Sequence, residues 1–388
     1  MKHTVIALIA GILLSHSGMA ADTVRVMTYN VLKFSQDNVD GRIPNFARII
    51  DSIRPDVMVC QEVDDASMGP LFVTDVFTWA PFAGTPFIDG PDTDCQLFYD
   101  QTKFDFLSQR RISTELRDIA EFTLVTRPTN ALPPDTVVFY GCHLKASDGS
   151  SEAQQRAREV AAMMAQMTTR RFAFVAGDLN VYSPQEQAYR NITGSTAVRT
   201  FIDPLGPVWM RNTPSFAGWY TQCTRATQVS SCGGGVDGGL DDRFDFIFVS
   251  QQLEPRVVKN SYTHFGNDGL PRLNASINNP TNTLVSQAMA DALLCASDHL
   301  PIYVDVILGD VQASVGDEGA PVPTIRFTGS EAIITHCTIG SPITITDLNG
   351  RVVYRINATS EVMNITVSHL PHGIYFFHHS THTSTLAH

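Results

Sequence analysis

Long hydrophobic runs are nearly absent from this 388-residue chain: after residue 20 no stretch approaches the roughly 20 apolar residues of a membrane-crossing helix. Positive charge is also short. Lys+Arg number 27 against 39 Asp+Glu, a net charge of −12, which removes the diffuse basic field that non-specific nucleic-acid binders rely on. No repeat of solenoid or propeller period and no low-complexity tract occurs, so repeat arrays are excluded. Gly233-Gly234-Gly235 and Gly238-Gly239 lack the Gly-Lys-Ser/Thr and strand-to-helix setting of a phosphate-binding loop, and read as connectors. Cysteines number seven, an odd count, so at least one thiol has no partner within the chain.

What is present suffices for a sizeable core. With 43% hydrophobic and 17% charged residues the chain is globular, and its length implies one large domain plus a smaller one. The N-terminus carries Lys2, an apolar run from Val5 to Leu14, and Gly18-Met19-Ala20 with small residues at the −3 and −1 positions of a cleavage site. Residues 1–20 are therefore read as an export signal rather than a short core helix. Export permits disulfides. Cys223 and Cys232, flanking a polar loop, are a candidate local bridge, with two free thiols as the alternative; Cys60 and Cys142 sit in apolar runs and read as core residues.

Residues 24–308 alternate strand-type runs with helical patterns. Strands are predicted at Val24–Asn30, Asp56–Glu62, Gln96–Tyr99, Ile119–Thr126, Thr136–His143, Phe172–Asp178, Phe244–Val249 and Ile302–Ile307. Ile43, Phe46, Ala47, Ile50 and Ile53 follow helical spacing, and a longer helix runs from about Ser151 to Thr168, opened by a Ser151-x-x-Gln154 capping box. Residues 309–323 read as a linker, and 324–388 as a small all-β module with an Asn349-Gly350 hairpin signal.

Chemistry is expected where polar residues stand at the ends of apolar strands, because a carboxylate or imidazole there needs a partner or a task. Six places qualify: Tyr29-Asn30, Gln61-Glu62, His143, Gly177-Asp178-Leu179-Asn180, Ser297-Asp298-His299, and Asp245 within an aromatic and β-branched run. Each alone has a bland reading as a turn residue, a cap or a surface charge. Together, Asn30, Glu62, Asp178, Asn180 and Asp298 form an all-oxygen set without thiolate, which suits Mg²⁺, Mn²⁺ or Ca²⁺ better than structural zinc. Such a cation offsets carboxylate repulsion and lets an acidic protein bind phosphate. His143 and His299 add two imidazoles for proton transfer and charge stabilisation. His264 and the aromatics Phe72, Phe77, Trp79, Phe82 and Phe87 read as packed residues.

The ordered set Thr28-Tyr29-Asn30, Gln61-Glu62, His143-Leu144, Gly177-Asp178-Leu179-Asn180, Asp242-Arg243-Phe244-Asp245-Phe246-Ile247 and Ser297-Asp298-His299 resembles the endonuclease/exonuclease/phosphatase superfamily. The resemblance covers residues 24–308. It implies an α+β, four-layer αββα sandwich with the site at one edge of two packed sheets. By matching motif, Glu62 is implied as the main metal ligand, with Asn30 nearby and Asp298 on the metal side. Asp178 is implied to align the attacking water, Asn180 to hold a phosphate oxygen, His299 to contact the phosphate while oriented by Asp245, and His143 to serve the leaving group. Asp94, before the Leu97-Phe98 strand, occupies the place of the acid that partners His143. One departure stands out: the Arg that deoxyribonuclease-like members often carry two positions after the metal-binding Glu is replaced in Glu62-Val63-Asp64-Asp65.

The C-terminal segments Ile343–Val353 and Leu370-Pro371-His372-Gly373-Ile374-Tyr375-Phe376 resemble the sorting domain of bacterial type IX secretion, which implies an immunoglobulin-like β-sandwich. Seven of the 12 histidines lie in this module and read as a solvated polar face. The expectation is thus a secreted or surface-displayed, Mg²⁺-dependent (or Mn²⁺- or Ca²⁺-dependent) phosphodiesterase, first of all an extracellular nuclease acting on DNA or RNA. A sphingomyelinase-like phospholipid esterase or an inositol or sugar phosphatase is the alternative within the class, and a non-catalytic surface binding protein the alternative outside it. The type IX secretion machinery is the expected partner, with no stable protein partner besides.

Overall fold

The strand-type runs fold into two six-stranded mixed sheets. The computed structural model describes residues 22–35, 41–127, 134–168, 172–194 and 200–308. Of the tail it describes 324–328, 331–335, 337, 339–347, 351–360, 362–368, 370, 374–379 and 382–387. Segments 1–20 and 309–323, read above as signal and linker, lie outside the described residues, as do His336, His369, His372 and His388. The chain divides at about residue 311 into two compact units.

In the large unit the strands are β1 (Asp22–Phe34), β2 (Val57–Val63), β3 (Phe82–Gly84), β4 (Asp94–Asp100), β5 (Phe104–Ile112), β6 (Ile119–Thr126) and β7 (Thr136–His143). They continue as β8 (Phe172–Asp178), β9 (Phe201–Ile202), β10 (Gly239–Leu240), β11 (Asp245–Ser250), β12 (Thr263–His264), β13 (Arg272–Leu273) and β14 (Ile302–Leu308). The α-helices are α1 (Ile43–Ile53), α2 (Met68–Leu71), α3 (Ser150–Gln166), α4 (Gln187–Thr193) and α5 (Gln287–Ala296). One sheet runs β12-β14-β1-β2-β4-β3, the other β5-β6-β7-β8-β11-β9, and β10 pairs β13 separately. Among the described residues of the large unit only β1–β2 and β7–β8 are parallel pairs; the other pairings are antiparallel.

Three apolar clusters lie between successive layers. Val26, Val57, Val59, Phe139, Phe174 and Val304 fill the space between the sheets. Phe46, Ile50 and Ile53 of α1 and Leu293 of α5 pack with Met27, Met58 and Phe98 on the outer face of the first sheet. Val160 and Met163 of α3 and Ala188 and Ile192 of α4 pack with Val138, Tyr140 and Phe248 on the outer face of the second. Phe72, Phe77 and Phe82 belong to the core, with Phe77 and Phe82 stacked at 4.2 Å. Loss of one such buried ring costs about 3–5 kcal/mol.

One local expectation is corrected. Ser151 does not cap α3: the helix starts one residue earlier with Gly149 at the N-cap, and Ser151 Oγ donates to Glu152 instead. The strand β5 was not foreseen, because as a sheet edge it buries few of its residues and carries no apolar alternation.

The tail unit comprises β15 (Thr324–Thr328), β16 (Glu331–Thr335), β17 (Pro342–Asp347), β18 (Val352–Asn357), β19 (Val362–Thr366), β20 (Ile374–His379) and β21 (His382–Ala387). They form antiparallel sheets β15-β16-β19 and β18-β17-β20-β21, around Ala332, Ile334, Ile343, Ile345 and Ile365.

Candidate active site

The two parallel strand pairs end on the same polar cluster. Asn30 lies in β1, Glu62 in β2, and His143 and Asp178 are the paired last residues of β7 and β8. Glu62 sits in a bulge between Cys60 and Val63 with φ of 60°, which takes its carboxylate out of the strand's alternation. Gly177 (φ 141°) lets β8 close on β7: a Cβ there would stand 2.1 Å from the Cys142 carbonyl oxygen.

Asp178 Oδ2 is the common point of contact. It accepts from Asn30 Nδ2 at 3.2 Å and lies 3.6 Å from Nε2 of both His143 and His299. Asn30 Nδ2 also donates to Glu62 Oε1 at 2.9 Å and stands 3.4 Å from His299 Nε2. His143 Nε2 is 3.8 Å from Glu62 Oε1. The other ring nitrogen of His299, Nδ1, is 2.7 Å from Asp245 Oδ2. Asn180, at φ 49°, donates its backbone N–H to Asp178 Oδ1 and its side-chain amide to the Leu144 carbonyl.

Burial governs the charges. It raises the Asp178 carboxyl to about 7, with Asp245 and Glu62 adding to the rise and His299 opposing it. Burial, then Asp298, raises Glu62. Burial, with Arg117 and His299, pushes His143 well below its ordinary range. For His299 burial pulls down, but Asp245, Asp178 and Asp298 outweigh it and hold the ring well above 6.5.

Glu62, His143 and Asp178 present ligand atoms within 4.8 Å of one another, and Asp298 Oδ1 is buried with no hydrogen-bond partner among the described residues. Buried carboxylates crowded together, with the Asp298 oxygen still unspent, fit a hard divalent cation. Residues 27–299 match the Endonuclease/Exonuclease/phosphatase family. The chain belongs to that family. Residues 324–388 match a secretion system C-terminal sorting domain, which indicates secretion or cell-surface export. No curated protein matches the chain. Among solved structures, a humanized D. rerio TDP2 is 17% identical with a TM-score of 0.48, covering 73% of this chain and 98% of its own. Truncated Caenorhabditis elegans TDP2 is 19% identical (TM-score 0.46; 74% and 97% covered), and the human Nocturnin catalytic domain 16% identical (0.44; 74% and 93%).

In this family member the Ser297-Asp298-His299 turn is held from several sides. Ser297 Oγ donates to the Asn30 carbonyl, and Val236 N–H to Asp298 Oδ2 at 2.8 Å. Two fully buried arginines grip the end of α5: Arg42 donates to the Ala296 and Leu32 carbonyls, and Arg225 to those of Leu294, Gly234 and Cys232. Arg243, equally buried, forms a bidentate pair with Asp203 at 2.9 Å that anchors the start of β11 and so Asp245. The expected Cys223–Cys232 bridge is corrected: Cys232 bonds Cys295, which ties the 226–239 loop to α5 three residues before Asp298. The Cys223 thiol faces the Arg225 and Gly239 carbonyls instead.

Asp94 also departs from expectation. Its carboxylate accepts from Gly90 N–H at 3.1 Å, while His143 Nδ1 has no hydrogen-bond partner among the described residues. The reason is register: past the bulge Asp94 pairs with Val63, and its side chain turns toward the Gly90 loop. His264 is a packed residue, with burial lowering it to about 3. Three neighbours were missed in the sequence: Thr221, whose Oγ1 accepts from Asp245 N–H; Gln222, at 2.6 Å from His299 Nε2; and Arg117, which bonds the Leu144 carbonyl and Asp92. All three come from irregular segments where no apolar periodicity marks a strand end.

Proposed function

We propose that the large domain is a divalent-metal-dependent phosphodiesterase, exported by the type IX route behind an N-terminal signal, and that it acts on extracellular DNA or RNA. The observation that carries this reading is the meeting of Asn30, His143 and His299 at Asp178 Oδ2. When bound, the cation, taken as Mg²⁺ with Mn²⁺ or Ca²⁺ as substitutes, supplies the positive charge that a phosphodiester needs among four carboxylates. Glu62, with Asn30 and Asp298, is assigned to hold it; Glu62 is also the member this set shares with the compact trio Glu62, His143 and Asp178, whose other two side chains are given to the water and the leaving group.

Asp178 orients the attacking water and takes its proton, a task suited to a carboxyl raised to about 7. His299, steadied by Asp245, offers Nε2 to a phosphoryl oxygen, and Asn180 holds another. His143, kept neutral by burial and Arg117, serves the leaving-group oxygen. Arg117, held by the Leu144 carbonyl and Asp92, adds a positive field that acts on His143 and Glu62. The tail is assigned an immunoglobulin-like sandwich read by the secretion machinery.

The test is a parallel assay of plasmid DNA, RNA, sphingomyelin and inositol phosphates with Mg²⁺, Mn²⁺ and Ca²⁺. Cleavage of a nucleic acid, abolished by EDTA and restored by Mg²⁺ or Mn²⁺, is expected. Preference for sphingomyelin or inositol phosphates moves the assignment to the lipid or phosphatase alternative. Inactivity on all four, with metal present, favours the non-catalytic binding protein.

A further inference from the structure

We propose that Gln222 is a substrate-contacting residue, whose side-chain amide and His299 Nε2 address the same phosphoryl oxygen. The inference rests on the phosphodiesterase reading, which makes that oxygen the ligand.

The segment around Gln222 is fixed by its backbone. Asp241 N–H and Asp242 N–H donate to the Gln222 carbonyl at 3.0 and 3.2 Å, Leu300 N–H to that of Thr221 at 2.8 Å, and Thr224 N–H to that of Asp298 at 2.9 Å. Thr221 Oγ1 accepts from Phe244 and Asp245 N–H, both at 3.2 Å. The run 221–224 thus laces the Asp298–Leu300 turn to the start of β11, and Gln222 forms bridges to both Asp242 and His299. Its half-buried side chain ends 2.6 Å from His299 Nε2, and because the cationic ring donates from Nε2 it is the amide oxygen, with the two ends of the amide interchanged, that accepts there, leaving the NH2 end beside it.

That position has a consequence. Asp245 occupies Nδ1 of the ring, so Nε2 is the nitrogen left to face a ligand. An atom at hydrogen-bond distance from Nε2 stands at or beside the place a ligand oxygen must take. When the ligand enters, the amide has to turn aside, which leaves its N–H within reach of the same oxygen. A primary amide suits this place. It donates without adding charge to a cleft already holding Glu62, Asp178, Asp245 and Asp298, and either end of it can meet the imidazole.

The experiment uses the full chain with Mg²⁺, inorganic phosphate as the binding probe in calorimetry and bis(p-nitrophenyl) phosphate as the turnover probe. Gln222→Met keeps length and packing but removes the amide; it is expected to weaken phosphate about tenfold and lower kcat at least as much, in the range of one hydrogen bond to a charged group. Gln222→Glu should weaken phosphate further, because a carboxylate then faces the anion. Melting midpoints within about 4 °C of the parent separate contact from unfolding. Unchanged phosphate affinity in Gln222→Met, Gln222→Glu binding as well as Gln222→Met, or a parent chain that binds no phosphate each overturns the proposal. A parent that binds phosphate but cleaves no phosphodiester removes the reading above, while the affinities still decide the role of Gln222.

Discussion

His143 and His299 reach one site from different sheets, yet their surroundings differ in kind. His299 precedes β14 of the first sheet and is bonded at Nδ1 to Asp245, touched at Nε2 by Gln222, and tied down by the Cys232–Cys295 loop and two buried arginines. His143 ends β7 of the second sheet, has no hydrogen-bond partner at Nδ1 among the described residues, and at Nε2 stands 3.6 Å from Asp178 and 3.8 Å from Glu62. Both are buried, at 1% and 7% exposure, so desolvation acts on both alike. Carboxylates overcome it for His299, whereas Arg117 and His299 reinforce it for His143. Two imidazoles a few ångströms from one oxygen are thereby shifted in opposite directions, His299 toward the cation and His143 toward the neutral ring. Under the proposed function, such splitting fits different proton roles for the two rings.

The sharpest way to break this contrast is His299→Ala. Turnover should fall by about 10² to 10⁴, the range for a positioned acid–base group, and near-full activity would remove the role. Asp245→Asn keeps the shape but removes the charge that holds the ring cationic; a loss of about 10²-fold is expected, with Asp94→Asn as the control that stays within about threefold. Equal losses from the two aspartate variants would restore Asp94 to the site.

The disulfide tests whether bracing matters on the His299 side alone. It closes a loop over a separation of 63 residues, and Cys232→Ser with Cys295→Ser should cost about 2–4 kcal/mol by denaturant unfolding, with a drop in kcat. Unchanged kcat would mean the turn is held without it. The smallest effect is a slope. His143 is lowered below its ordinary 6.5, so the unfolded chain takes up a proton that the fold refuses, and stability is lost as pH falls through 6.5. His299 is raised, so its contribution is present below 6.5 and lost as pH rises through its folded value. Replacing His143 with Gln should therefore flatten the metal-free stability profile below pH 6.5, by up to about 1.4 kcal/mol per pH unit. Identical profiles would place a charged His143 in the fold.

Much of the fold was legible because burial leaves a periodic trace. The expected strands match β1, β2, β4, β6, β7, β8, β11 and β14, and the first helix matches α1. Each of these segments buries an apolar stripe or run. The edge strand β5 and the short α4 and α5 lack that contrast and went unread. Of the side chains that lie together at the candidate site, those at strand ends were legible in the sequence, while Thr221, Gln222 and Arg117 were not, since no periodicity points at a loop. The disulfide was misassigned for a related reason: sequence proximity favoured Cys223 with Cys232, but the partner of Cys232 is at the end of α5, 63 residues away.

Taken alone, the sequence determined which side chains could carry chemistry, where the strands deliver them, and that the chain pairs an acidic Endonuclease/Exonuclease/phosphatase domain with a sorting tail. Only the tertiary structure decided which groups touch: that Asp178 Oδ2 joins both imidazoles, that Asp94 turns away, and that Cys232 bonds Cys295. Periodicity is a property of one segment and its solvent. Contact depends on the register, bulges and loop closures of segments far apart in the chain, and a one-residue shift in any of them redirects a side chain to another face.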